Sequence, residues 1–198
     1  MRYTGPKDRL SRREAFDIFG AGAKLTRLNV KPGMHGAKGS RAPSIFGRQL
    51  REKQKVKRMY GVTERVFKNY ITTAFKSKGN SADGLFSLLE KRLDNVVYRL
   101  GFASSRPLAR QLVSHRHVFV NGKKLNIPSY QVKISDIITL SSKAQEMPVV
   151  KALLSQKEYS IPGWLSREGA AGNVSRFPKR EDVAEPISDQ DIIEYYSR

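Results

Sequence analysis

Leu88-Leu89-Glu90-Lys91-Arg92-Leu93-Asp94-Asn95-Val96-Val97-Tyr98-Arg99-Leu100-Gly101 is the stretch that decides how this chain reads. Leu89, Leu93, Val96 and Leu100 recur at helical spacing and form one apolar stripe. Arg92, Asn95 and Arg99 follow the same period along one flank of it. Gly101 supplies the left-handed residue that ends such a helix. A second helix is predicted from Ser105, whose hydroxyl can cap it, with Pro107 tolerated in its first turn. Leu108, Ala109, Leu112 and Val113 give that helix a core face, and Arg106 and Arg110 stand one turn apart beside it. His117-Val118-Phe119-Val120, then Asn121-Gly122, then Lys123-Lys124-Leu125 read as a tight hairpin. The expected product is a rigid platform that aims several guanidinium groups in one direction. Guanidinium suits phosphate, because its planar fork of fixed donors matches the anion's oxygens. Two amphipathic helices with solvated polar faces would look the same locally, so the choice rests on the rest of the chain.

The 198 residues carry 37 Lys and Arg against 18 Asp and Glu, a formal net charge of +19. The excess is uneven: net +12 over 1–60, +3 over 61–80, +5 over 81–142 and −1 over 143–198. A basic front and a near-neutral tail suggest one face for a polyanion and another for protein. The length allows one large domain or two small ones, with a core that needs no covalent staples. There is no cysteine, which excludes disulfides and thiolate metal sites and fits a reducing compartment. No apolar run approaches the length of a membrane span, and no secretory signal is expected. The stretch 48–58 has bases on every side rather than opposite an apolar face, which disfavours membrane-surface binding.

Four segments are expected. Residues 1–46 form a basic, irregular N-terminal arm rich in Gly and Pro, ordered against its partner rather than by its own core. Phe16, Ile18 and Phe19 offer it a small local cluster. Residues 47–87 form a helical domain. Its first helix has Arg48, Arg51, Lys53, Lys55, Lys57 and Arg58 around its axis, and would repel itself without a polyanion alongside. Thr63 caps the next helix, with Phe67, Ile71 and Phe75 as core, and Ser81 caps one that runs to Leu100. The platform occupies 88–143, where Val132, Ile134, Ile138 and Leu140 suggest two more short strands after the hairpin. Within 144–198, the stretch 143–157 is a strand or a helix, Trp164 anchors a loop, and 166–186 is extended loop. Ser188 then caps a short last helix with Asp189 and Asp191 in its first turn. The fold class is α+β: a mainly helical domain plus two helices packed on a short antiparallel sheet.

Catalytic constellations are missing from the sequence. The three histidines, His35, His115 and His117, have no metal-ligand spacing, and no nucleophile elbow or phosphate-binding glycine loop occurs. No enzyme activity, cofactor or metal is expected.

Arg92-Leu93-Asp94-Asn95-Val96-Val97-Tyr98-Arg99-Leu100-Gly101-Phe102, Ala109-Arg110-Gln111-Leu112-Val113-Ser114-His115 and Val120-Asn121-Gly122 resemble the bacterial and organellar family of small-subunit ribosomal protein number four, and the small RNA-binding module named after it. Arg2-Tyr3-Thr4-Gly5-Pro6-Lys7, Leu10-Ser11-Arg12-Arg13-Glu14, Pro32-Gly33-Met34-His35-Gly36, Gln49 to Lys55, Tyr60-Gly61-Val62 and Ile192 to Ser197 extend the resemblance over nearly the whole chain. The zinc-binding cysteine cluster of some members is absent here, Met34 replaces the usual glutamine, and Leu108 replaces a glutamate that would complete a capping box. The resemblance implies a ribonucleoprotein component in translation, cytoplasmic and ribosome-bound or in an organelle matrix. It implies a primary rRNA binder that nucleates subunit assembly by clamping a multi-helix junction, near where mRNA enters and with a role in decoding accuracy. It also implies a discontinuous helical domain, with 155–198 packing back on 47–87. Partners would be small-subunit rRNA, neighbouring small-subunit proteins and mRNA, with no membrane. The candidate rRNA-binding residues are Lys7, Arg12, Arg13, His35, Arg48, Arg51, Lys53, Lys55, Arg92, Asn95, Arg99, Arg106, Arg110, Gln111, His115, Asn121 and Lys123; Lys38 and Arg41 are candidates for mRNA. An RNA-modifying enzyme using the platform as a handle, and a DNA-binding architectural protein, are the competing readings.

Overall fold

The computed structural model describes residues 3–20, 27–39, 42–77, 79–156 and 159–197. The chain divides into two compact units, Met1–Lys76 with Glu185–Arg198, and Ser77–Ala184. The expected boundary near residue 87 falls inside a helix, and the C-terminal segment is shared: up to residue 184 it belongs to the second unit, and only the last stretch to the first.

In the first unit the arm is not wholly irregular. Lys7–Glu14 forms helix α1, ended by Ala15 at φ 49. The Phe16 amide donates to the Ser11 carbonyl, and the Ile18 amide donates to the Ser11 hydroxyl at 3.3 Å. These bonds fold the chain back on α1 and bury Ile18, so the small cluster read from the sequence suffices for one helix. Helix α2 (Ile45–Met59) starts at Ser44, whose hydroxyl accepts from the Gly47 amide. Helix α3 (Glu64–Lys76) buries Phe67, Ile71 and Ala74 but leaves Phe75 exposed. Four residues turn a helix by about 40° more than a full circle, so a spacing of four drifts off the face while Ala74 stays on it. The final helix, α9 (Asp189–Tyr196), packs along α2 and buries Ile192.

The second unit begins with α4 (Ser81–Glu90), capped by the Asn80 side chain rather than by Ser81. The long helix expected to reach Leu100 breaks at Lys91 and Arg92 and resumes as α5 (Leu93–Arg99). At the break the Leu93 and Asp94 amides donate to the Tyr130 and Pro128 carbonyls, and the Val132 amide donates to Lys91. The returning chain thereby satisfies the orphan donors of α5, which a continuous helix would not need. Helix α6 (Arg106–Ser114) is capped by Ser105 and leads into β1 (Val118–Val120) and β2 (Lys123–Leu125). Asn121 at φ 51 and Gly122 at φ 75 make the turn that matches the twist of a two-residue hairpin.

Of the two strands expected over 132–140, one forms, β3 (Ile137–Leu140), because Ser135 at φ 67 turns the chain and leaves Ile134 exposed. The stretch read as strand or helix is two helices, α7 (Ser142–Gln145) and α8 (Pro148–Ser155). Residues 166–186 are not all loop: β4 (Leu165–Glu168) and β5 (Ala171–Val174) form a second hairpin. The sheet has five antiparallel strands in the order β2-β1-β3-β5-β4. Gly172 explains why the sequence hid this hairpin: a Cβ there would meet the Leu100 side chain at 2.4 Å, so the centre of β5 carries no apolar signal. Leu93, Val96, Leu100, Leu112, Val118, Ile138 and the fully buried Trp164 make the core between helices and sheet.

Glu64 ties α9 into the first unit, accepting from Lys53 at 2.8 Å, Lys57 at 2.8 Å and the Tyr196 hydroxyl at 2.6 Å. Burial alone would raise its pKa, but these three donors win and hold it at about 2, below the ordinary 4.5. Its charge therefore favours the folded state at and above pH 4.5, and that contribution fades as pH falls toward 2. The carboxylate is partly exposed, so Glu64→Gln is expected to cost only about 1 kcal/mol at neutral pH. Denaturant titrations at pH 7 and pH 3 should show the penalty shrinking at the lower pH.

Candidate nucleic-acid interface

In the second unit the basic residues form two layers. The inner layer is built on carboxylates. Glu90, fully buried, accepts from Arg99 Nε at 3.0 Å and Nη2 at 2.9 Å, and from Asn95 Nδ2 at 2.9 Å. Asn95 Oδ1 then accepts from Arg106 Nε at 2.9 Å, and the Arg106 guanidinium lies 4.6 Å over the Tyr98 ring. Asp94 takes both prongs of Arg92, at 3.0 and 2.9 Å, and stands 3.6 Å from Arg110 Nη1. Arg92, Asn95 and Arg99 were expected to point outward. They instead face the protein: Asn95 and Arg99 on α5 meet Glu90 at the end of α4, and Arg92, at the break between the two helices, meets Asp94. Asn95 in turn holds Arg106, and the forks of Arg92 and Arg99 are turned onto carboxylates. Asn121 is likewise engaged, donating to Asp136 at 2.8 Å and accepting from the Ile137 amide at 2.9 Å, so it clasps the hairpin.

The outer layer remains. Arg106 and Arg110 are half-exposed on α6, and Gln111, His115 and Lys123 are exposed. Arg116, beside His115, is also exposed and stands at φ 64. It closes α6 as Gly101 closes α5. The Arg116 amide bonds the Val113 carbonyl and the His117 amide bonds Leu112, just as Gly101 bonds Tyr98 and Phe102 bonds Val97. Nothing local in the sequence marks this position, since arginine stands where such a helix end favours glycine.

In the first unit, the bases of α2 are met mainly by carboxylates of the helices around it. Lys53 is buried on Glu64 and 4.5 Å over the Tyr195 ring, and Lys55 is buried on the Pro186 carbonyl and Glu52. Arg51 and Arg58 both meet Glu14, and Arg48, mostly exposed, meets Asp191 at 3.1 Å. Burial pushes the Glu14 carboxyl up despite the two guanidiniums, and burial pushes Arg58 down despite Glu14. The self-repelling helix expected from the sequence is thus offset largely by protein carboxylates, and Lys53 and Lys55 are turned inward rather than outward. Arg12 donates to the Val30 and Lys31 carbonyls and pins the arm. Lys7, Arg13, His35 and Lys38 are exposed; Arg41 lies outside the described residues. Arg65, Lys68 and Lys76, not singled out from the sequence, share one exposed face of α3 and meet no carboxylate among the described residues.

No group of three potential metal ligands occurs among the described residues, and no described helix is long and apolar enough to cross a membrane. A family model described as "Ribosomal protein S4/S9 N-terminal domain" matches residues 2–90, and one described as "S4 domain" matches 91–138. Small ribosomal subunit protein uS4 of Delftia acidovorans is 46% identical over 205 residues, covering 100% of this chain and 99% of that relative. The uS4 proteins of Albidiferax ferrireducens and Burkholderia ambifaria, at 47% and 46%, match with the same coverage. The chain belongs to the uS4 family of small ribosomal subunit proteins. It is therefore of a structural, non-enzymatic kind, with an RNA-binding module in its second unit. The S4-domain match ends inside β3, so β4 and β5, which complete the sheet, lie beyond it.

Two stability effects of opposite sign follow from this geometry. Glu90→Ala would leave Arg99 and Asn95 buried without their acceptor and is expected to cost about 3–5 kcal/mol in denaturant unfolding. Arg116→Gly would relieve a left-handed non-glycine residue and is expected to stabilise by about 0.5–1 kcal/mol.

Proposed function

We propose that this chain is a primary rRNA-binding protein of the small ribosomal subunit, which clamps a junction of several RNA helices early in assembly. The observation that carries the reading is the two-layer arrangement on the second unit. Buried Glu90 and Asp94 hold the inner groups, and through them Arg106 and Arg110 are presented at fixed positions beside Gln111, His115 and Lys123. Pre-set cations of this kind suit A-form RNA, which offers phosphates and 2′-hydroxyls while its deep groove hides the bases. Lys7, Arg13 and the exposed part of Arg48 extend the cationic surface of the first unit, and His35 is exposed as a further polar contact. Arg12 and Arg51 support it from within the unit. Lys38 and Arg41 are assigned to mRNA near the point where it enters, with an attendant role in decoding accuracy. Neighbouring small-subunit proteins take the less basic surface, and the protein works bound to the ribosome, in the cytoplasm or an organelle matrix.

Neutralising about eight phosphates should make log K fall against log salt with a slope of roughly −5 to −7 for small-subunit rRNA. Arg106→Ala and Arg110→Ala should each weaken binding and flatten that slope by about one unit. Equal affinity for rRNA, duplex DNA and unstructured RNA at one salt concentration would sink the reading, as would loss of the chain from small subunits in a high-salt wash.

A further inference from the structure

We infer that the sheet face opposite the core of the second unit holds a second RNA subsite, which takes one unpaired nucleotide. The inference rests on the RNA-binding reading above and adds a site to it. Phe119 lies opposite Lys124 on β2 and opposite Thr139 on β3, so the three side chains share one face of the sheet. Val118 and Val120, its neighbours along β1, are buried on the other face. Phe119 and Thr139 are half-exposed and Lys124 is exposed, with its Nζ 5.7 Å from the Phe119 ring centre. Together with Ser141, Ser142 and Lys143 they line a cleft of about 440 Å³. Among the described residues no carboxylate lines it. Ser141 is already used, its hydroxyl capping α7 and lying 3.3 Å from His117 Nδ1, while Ser142 and Lys143 are exposed.

An aromatic ring on an open sheet face, with one lysine beside it and a second lysine and hydroxyls lining the same cleft, matches what an unpaired nucleotide offers. The base has a π-face to stack on Phe119, and its phosphate can reach Lys124 and Lys143. A protein partner fits less well, because the centres of protein interfaces are depleted in lysine and a carboxylate-free basic rim is complementary to a polyanion. The A-form helices assigned to α6 and the arm do not need a stacking ring, so this cleft contributes something they lack: preference for a looped-out or single-stranded segment.

The test uses the full-length chain and a short single-stranded oligoribonucleotide carrying 2-aminopurine, with a fully paired RNA duplex as comparison. The fluorescence of the single strand should be quenched on binding. Phe119→Leu should abolish the quenching and weaken single-strand binding roughly tenfold, with duplex affinity unchanged. Phe119→Tyr should keep both. Lys124→Gln and Lys143→Gln should each flatten the salt slope for the single strand by about one unit. Unchanged quenching and affinity in Phe119→Leu would overturn the inference, and so would equal losses on single strand and duplex. A wild-type chain that ignores the single strand would also overturn it and leave the face to a protein. Arg106→Ala and Arg110→Ala, measured on rRNA, report separately on the α6 surface, so the two readings fail independently.

Discussion

Two carboxylates at the junction of α4 and α5, Glu90 and Asp94, impose the constraint on which the second unit depends. Each sits almost out of reach of solvent and each takes a guanidinium fork, Arg99 on Glu90 and Arg92 on Asp94. Burying ions is expensive, and the pairs are tolerable only because every partner is matched. The same matching fixes geometry. Asn95 passes the order from Glu90 to Arg106, and Asp94 stands close to Arg110, so outer cations inherit positions from inner anions. A surface that must meet a folded polyanion without rearranging gains from such pre-setting, because fewer side-chain rotamers are lost on binding.

The first unit solves the opposite problem. Its α2 has basic residues on every side, and the fold supplies Glu14, Glu64, Asp191 and Glu52 to receive them. Three of those carboxylates come from α1, α3 and α9, so the charge of α2 becomes the means by which the helices are held together. The cations left exposed in the first unit include Lys7, Arg13, Arg48 on α2 itself and the Arg65–Lys68–Lys76 face of α3.

Legibility differed by element for physical reasons. The α5 stripe, the Ser105 cap and the Asn121-Gly122 turn were readable, since each depends on residues within one turn of the chain. The break at Lys91 and Arg92 was not, because the acceptors that stabilise it are Pro128 and Tyr130, far along the sequence. The β4–β5 hairpin was hidden by Gly172, whose lack of a side chain is required by Leu100 rather than by its own strand. Among the site residues, the placement of Arg106 and Arg110 one turn apart beside the core face of α6 followed from helical period. The inward turn of Arg92, Asn95 and Arg99 depended on where two carboxylates would lie. Lys53 and Lys55 were read as surface because a formal charge carries no sign of the aromatic rings and acceptors that meet it.

The amino-acid order alone determined an α+β chain with a basic front, no catalytic constellation and a helix–helix–hairpin platform, because composition and local periodicity act through neighbours in sequence. Tertiary structure alone decided which cations face outward, since that depends on carboxylates brought from elsewhere in the chain. It also decided that five strands rather than four complete the sheet among the described residues, and that Phe119 stands beside Lys124 on an open face. Each of those outcomes is a contact between residues that the sequence keeps apart, and burial, not spacing, settles it.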